Sequence, residues 1–118
     1  MSVIINNKKF NAEYLKTPEE IERGMMGRDE LDGCMVFMVN KGHHKFWMKN
    51  CKIPLDIVFV LNNRINKIHS NCEPCDGDCD KTYNGIGDHV IEFPSGIAND
   101  FKVGDRVKFN PNIPYKSI

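Results

Sequence analysis

Phe46-Trp47-Met48-Lys49-Asn50-Cys51-Lys52-Ile53-Pro54-Leu55-Asp56-Ile57-Val58-Phe59-Val60 decides the fold. Its second half is rich in β-branched and aromatic residues, which fit a pleated, half-buried surface better than a helix. In a strand from Ile53 to Val60, side chains alternate between faces. Leu55, Ile57 and Phe59 then point one way, and Pro54, Asp56, Val58 and Val60 the other. Both sets are apolar apart from Asp56, so the strand is expected to be buried on both sides. The same stretch holds the only tryptophan, one asparagine and one aspartate. A polar group buried in such a run costs roughly 1–3 kcal/mol unless it is hydrogen-bonded. These residues are therefore expected to have assigned partners and to mark the centre of both core and site.

Working outward, Val3 to Ile5, the turn Asn6-Asn7-Lys8-Lys9, and Phe10 to Leu15 read as a hairpin. Thr17-Pro18-Glu19-Glu20 is a helix start: Thr17 is the N-cap, proline takes the first helical position and Glu20 completes a capping box. The helix is predicted to run to about Met26 and close at Gly27, with Ile21, Met25 and Met26 as its apolar stripe. Further strands are predicted at Cys34 to Val39 and around Phe46 to Lys49, separated by a polar turn over Asn40-Lys41-Gly42-His43-His44. Pro54 to Leu61 is the central strand, and Asn62-Asn63 turns it into Arg64 to His69. Ser70 to Gly87 reads as a long loop, of the kind that is functional or tied down. Val90 to Phe93 and Arg106 to Phe109 complete the strands, and Pro111 and Pro114 lie in an extended tail. One short N-terminal helix and seven or eight short strands predict a mainly β domain, a compact β-sandwich or small barrel.

The chain has 118 residues, 41% hydrophobic and 27% charged, which fits a single globular domain over 1–118. Sixteen basic residues balance sixteen acidic ones, which removes the electrostatic footprint expected of a nucleic-acid binder. No apolar run approaches the roughly 20 residues of a membrane span, and Met1 to Lys8 lack the build of a secretory signal. The expected location is the cytoplasm, with neither nucleic acid nor membrane as partner.

Several blocks together resemble one family. Thr17-Pro18-Glu19-Glu20 through Gly24-Met25-Met26-Gly27-Arg28 is similar to its T-x-x-E-x-x-x-G-L-M-x-R opening, and Gly33-Cys34-Met35-Val36-Phe37 to its G-M-L-F. Phe46-Trp47-Met48-Lys49-Asn50 with Ile53-Pro54-Leu55-Asp56 resembles F-W-M-K-N-T-x-I-P-L-D. Val90-Ile91-Glu92-Phe93 with Gly96 resembles V-L-E-L-x-x-G, and Val103-Gly104-Asp105 resembles x-G-D. The resemblance is to domain of unknown function 192 and covers roughly residues 12 to 109. It implies a compact, mainly β sandwich-like fold without an assigned activity. Cys51 stands where that family tends to have threonine, and Met25 where it has leucine.

Asp56 and Glu92 are the carboxylates most deeply set in apolar strands. Asp56 needs a cation or backbone donors; Arg28, Lys49 and Arg106 are candidates, with Arg28 favoured for its bidentate fork. Arg28, Trp47, Asn50, Asp56 and Glu92 are thus expected to share a cleft that binds a small molecule or an extended peptide or glycan segment. Trp47 would stack, and Asn50 and Asp56 would orient the ligand. The alternatives are a hydrolase using Asp56 and Glu92 as an acid/base pair, structural ion pairs, or a non-catalytic protein-interaction module. No cofactor is expected, except for a zinc alternative at the cysteine loop. There, His69, Cys72, Cys75 and Cys79 have spacing that zinc tolerates; free thiols and a Cys75–Cys79 bridge are the other readings, and the resemblance implies a similar Pro-Cys…Cys…Tyr loop in which exported relatives could use a disulfide. Cys34 and Cys51 are expected to be small buried residues.

Overall fold

The computed structural model describes residues 1–111; Pro114, in the expected extended tail, lies outside the described residues. The elements are β1 (Ser2–Ile5), β2 (Lys8–Leu15), α1 (Pro18–Arg23), β3 (Cys34–Phe46), β4 (Leu55–Leu61), β5 (Arg64–Cys72), β6 (Tyr83–Pro94), a 3-10 turn (Ile97–Asp100) and β7 (Val107–Asn110). The strands form one sheet in the order β5-β4-β6-β3-β2-β1-β7. All neighbours are antiparallel except β2 and β3, which run parallel. Parallel neighbours need a crossover connection, and α1 lies within it.

Two tight hairpins come from asparagine pairs. Asn6 and Asn7 (φ 51° and 65°) join β1 to β2, and Asn62 and Asn63 (φ 52° and 62°) join β4 to β5. Asparagine tolerates the left-handed region, and two such residues in succession match the twist of the flanking strands. The sheet curls until its outer strands meet. An isolated bridge joins Arg64 to Arg106, Ile65 N donates to Asp105 O at 2.9 Å, and Val107 N donates to Asn63 O at 2.8 Å. The expected mainly β fold is therefore a curled, barrel-like sheet.

The two faces of this sheet carry separate cores. Val3, Ile5, Val36, Val58, Val60, Ile91, Phe93 and Val107, drawn from both ends of the strand order, pack together on the inside. Met35, Phe37, Leu55, Ile57, Phe59 and Val90 pack on the outer face, under Met25, Met48 and Cys51 from the connecting segments. β4 is buried on both faces as the alternation predicts. Each of its apolar side chains contributes roughly 1.5–3 kcal/mol by burial.

Three expectations about elements are corrected. The helix stops at Arg23, not Met26: Gly24 at φ 41° caps it, and its N–H donates to Glu20 O. The capping box of Thr17 and Glu20 forms as expected. Residues 40–44 are not a turn but part of β3, because β6 supplies backbone partners from Gly87 to Tyr83 after a register break between Met38 and Gly42. The loop expected from Ser70 to Gly87 is shortened from both sides, as β5 reaches Cys72 and β6 begins at Tyr83.

Candidate functional site

A pocket of about 210 Å3 opens between α1 with the turn that follows it and the outer face of the sheet. The capping box fixes where α1 begins, and Gly24 turns the chain so that Met25 drops into the outer core. A Cβ at Gly24 would stand 3.1 Å from the Phe37 ring, so the turn and the pocket wall are in close contact. Met25, Phe37, Val39 and Phe46 make apolar walls, Trp47 stands at the rim and Glu92 and Cys51 complete the lining.

Glu92 is the unusual member. Its position in β6, paired in register with Met35 and Ile57, directs it to the outer face. It is only 3% exposed, yet it accepts no hydrogen bond and joins no ion pair among the described residues. Burial pushes its carboxyl up to about 8, so the acid is mostly protonated at neutral pH. Cys51 lies close enough for the Glu92 charge to act on it. Burial first, and then that charge, pushes the Cys51 thiol up to about 12, which makes it a poor nucleophile.

The rim is basic. Arg23, Lys45 and Lys49 line the pocket, and none of them is in an ion pair among the described residues. The Lys49 ammonium sits 5.0 Å from the Trp47 ring centroid, within cation–π range. His44 also reaches the lining, with Nε2 2.6 Å from Asn40 O.

Of the five residues expected to share a cleft, Trp47 and Glu92 come together and the others do not. Asp56 is fully buried on the inner face. Its Oδ1 accepts from Asn71 N at 2.8 Å, and its Oδ2 accepts from Gly96 N and Ala98 N, each at 2.9 Å. Asp56 and Glu92 thus stand on opposite faces of the sheet and do not line one cleft together. Arg28 does not reach Asp56 either; its guanidinium grips Glu13 with two bonds of 2.7 and 2.9 Å. That grip holds the Glu13 carboxyl below its ordinary value. Asn50, at φ 59°, is a strut: its N–H donates to Cys75 O at 2.8 Å and its carbonyl accepts from Gly27 N at 2.9 Å. It borders a separate depression with Cys51 and Cys75, beside the Trp47 pocket.

The residues considered for zinc do not converge. Cys75 and Cys79 are joined in a disulfide. Cys72 is a buried free thiol pushed up to about 11 by burial, and the His69 ring nitrogen lies 2.7 Å from Asn84 O. No group of three or more metal-capable side chains occurs among the described residues. The pocket's contributions from Arg23, Met25, Lys45 and Cys51 were not foreseen; only the helix cap, which sets α1 against the Phe46-Trp47 segment, hints at them.

The family model DUF192, described as Uncharacterized ACR, matches residues 1–109. The chain belongs to this family. The match takes in β1 and the first hairpin, which the resemblance from about residue 12 had left out. A crystal structure of a protein of unknown function from Novosphingobium aromaticivorans DSM 12444 has 32% sequence identity and a TM-score of 0.81, covering 92% of this chain and 84% of that one. Another, from Sinorhizobium meliloti 1021 and called a "putative transcription regulator", has 24% identity and a TM-score of 0.79 over 91% and 89% of the two chains; at that identity it speaks for the fold alone. No curated protein sequence matches. Among the described residues, no helix is long and apolar enough to cross a membrane.

Proposed function

We propose that this DUF192 domain is a binding domain whose pocket beside Trp47 takes a small molecule or the end of an extended peptide or glycan. The observation that carries this reading is Glu92: a carboxyl on the lining of an apolar pocket, open to the cavity and without a hydrogen-bond partner among the described residues. Buried polar groups are ordinarily satisfied within the protein, and one left open to a cavity suits a ligand that completes the bond. Apolar walls with few polar groups are the ordinary make-up of a ligand site. Trp47, 40% exposed, offers a stacking surface at the entrance. The balanced overall charge favours such a ligand over nucleic acid. The proposed location is the cytoplasm, where the Cys75–Cys79 bond would be held open by cellular reductants.

A protonated carboxyl in a water-poor pocket is also the arrangement of a general acid. A catalytic reading would draw its second group from the pocket rim, since Asp56 is committed to backbone amides on the other face.

Trp47 is the only tryptophan, so its fluorescence reports on the pocket. Benzyl alcohol and methyl β-glucoside serve as the apolar and sugar probes. At least one is expected to shift Trp47 emission saturably, and Val39→Tyr, which fills the pocket from its rim, is expected to remove the response. If neither probe acts on the wild type, or Val39→Tyr responds unchanged, the binding reading is wrong.

A further inference from the structure

Resting on the binding reading above, we infer that the pocket selects a small amphipathic anion, a body of about one ring with a carboxylate-type head, over neutral or cationic ligands of the same size. Two independent observations carry the inference. The first is the distribution of charge. Arg28 is paired with Glu13 and Lys52 with Asp29, whereas Arg23, Lys45 and Lys49 meet at the pocket mouth with no carboxylate on any of them among the described residues. Among the described residues, Glu22 is the one acidic side chain at the rim, so the mouth they form carries an excess of positive charge. Cations gathered at a concave apolar entrance concentrate anions there. The Arg23 guanidinium adds a planar fork suited to two oxygens.

The second observation is size and lining. An apolar cavity of about 150 Å3 holds a benzene molecule, so a pocket of about 210 Å3 has room for one ring and a short polar head. Met25, Phe37 and Phe46 would surround the ring, and the head would stay at the rim beside Lys49 and Trp47. Glu92 at the lining does not oppose this occupant while it is protonated. The other titratable groups lining the pocket are Arg23 and Glu22 from α1, His44 and Lys45 from β3, and Lys49 and Cys51 from the segment after β3. Of these, three are lysine or arginine.

Three probes of similar size separate the possibilities: benzoate, benzyl alcohol and benzylamine, titrated at pH 6.5 with Trp47 emission and calorimetry as readouts. Benzoate is expected to bind at least tenfold more tightly than benzyl alcohol at 20 mM salt, and most of that advantage should vanish at 500 mM salt. In the triple variant Arg23→Gln, Lys45→Gln, Lys49→Gln, with folding checked by circular dichroism, calorimetry should show benzoate binding no more tightly than benzyl alcohol; a benzoate advantage that survives would overturn the anion class. Equal binding of all three probes, or tighter binding of benzylamine, would overturn the anion class and leave the pocket reading standing. A saturable response to none of them would overturn both.

Discussion

Glu92→Gln should make the protein's stability nearly independent of pH between about 5 and 8. Wild-type Glu92 titrates near 8 when folded, against an ordinary value of 4.5. Between those two values the folded chain holds a proton that the unfolded chain has released. Stability depends on pH through the difference in bound protons, unfolded minus folded. Here that difference is negative, so the Glu92 contribution is fully present below pH 4.5 and is lost as pH rises towards 8. At 1.36 kcal/mol per pH unit, the interval from 4.5 to about 8 amounts to at most about 5 kcal/mol. Glu13 and Asp88, both held below their ordinary values, act in the opposite sense and only in more acid solution. Glutamine has nearly the same shape and does not ionise, so the variant should match the wild type at pH 5 and exceed it at pH 8.5. Urea unfolding followed by circular dichroism measures the effect. With a urea dependence of about 2 kcal/mol per molar, the wild-type midpoint should fall by up to roughly 2 M from pH 5 to 8.5, and the variant's should hold. A wild-type midpoint that does not move, or a variant that keeps the wild-type slope, would refute the assignment of Glu92 as a buried, unpartnered acid.

Asp56→Ala leaves three backbone N–H groups without their acceptor, at about 1–3 kcal/mol each; a loss above about 3 kcal/mol in urea unfolding is expected, with Asp56→Asn recovering part of it. Tyr14 donates to Ser2 O at 2.7 Å and accepts from Asn110 N at 3.0 Å, tying β2 to both ends of the chain's described part. Tyr14→Phe should therefore cost about 1–3 kcal/mol, measured as a lower thermal midpoint. Reducing the Cys75–Cys79 bond, or replacing both residues with serine, should lower stability by about 2 kcal/mol for so short a loop. Because Cys75 is hydrogen-bonded to Met48 O and Asn50 N, the same change should shift Trp47 emission; an unchanged spectrum would mean that the loop does not brace the pocket rim.

Much of the scaffold could be read from local chemistry. The capping box, the asparagine turns and the two-faced burial of β4 each follow from residues adjacent in sequence, and each forms. Residues 40–44 misled for the opposite reason. Asn40, Lys41, His43 and His44 have no local preference for a strand; pairing of Gly42, His43 and His44 with the backbone of β6 carries the strand on past the register break. The partner of Asp56 was equally hidden: its donors are main-chain amides of residues 71, 96 and 98, which no side-chain pattern announces, while Arg28 had a nearer acid in Glu13. For Glu92 the alternation of Val90-Ile91-Glu92-Phe93 sets which neighbours share its face. Which face would be covered by α1, and so become a pocket, depends on the crossover between β2 and β3.

The join between the first and last edges of the sheet has a dynamic consequence. One bridge and a few main-chain bonds around residues 63–65 and 104–107 hold it, against ladders of four to nine residue pairs elsewhere. The molecule should therefore open like a scroll along that seam before it melts as a whole. Deuterium uptake should reach the amides of Ile65 and Val107 long before those of β4 and β6. The pocket under α1, built on the most slowly exchanging strands, would keep its shape through such openings.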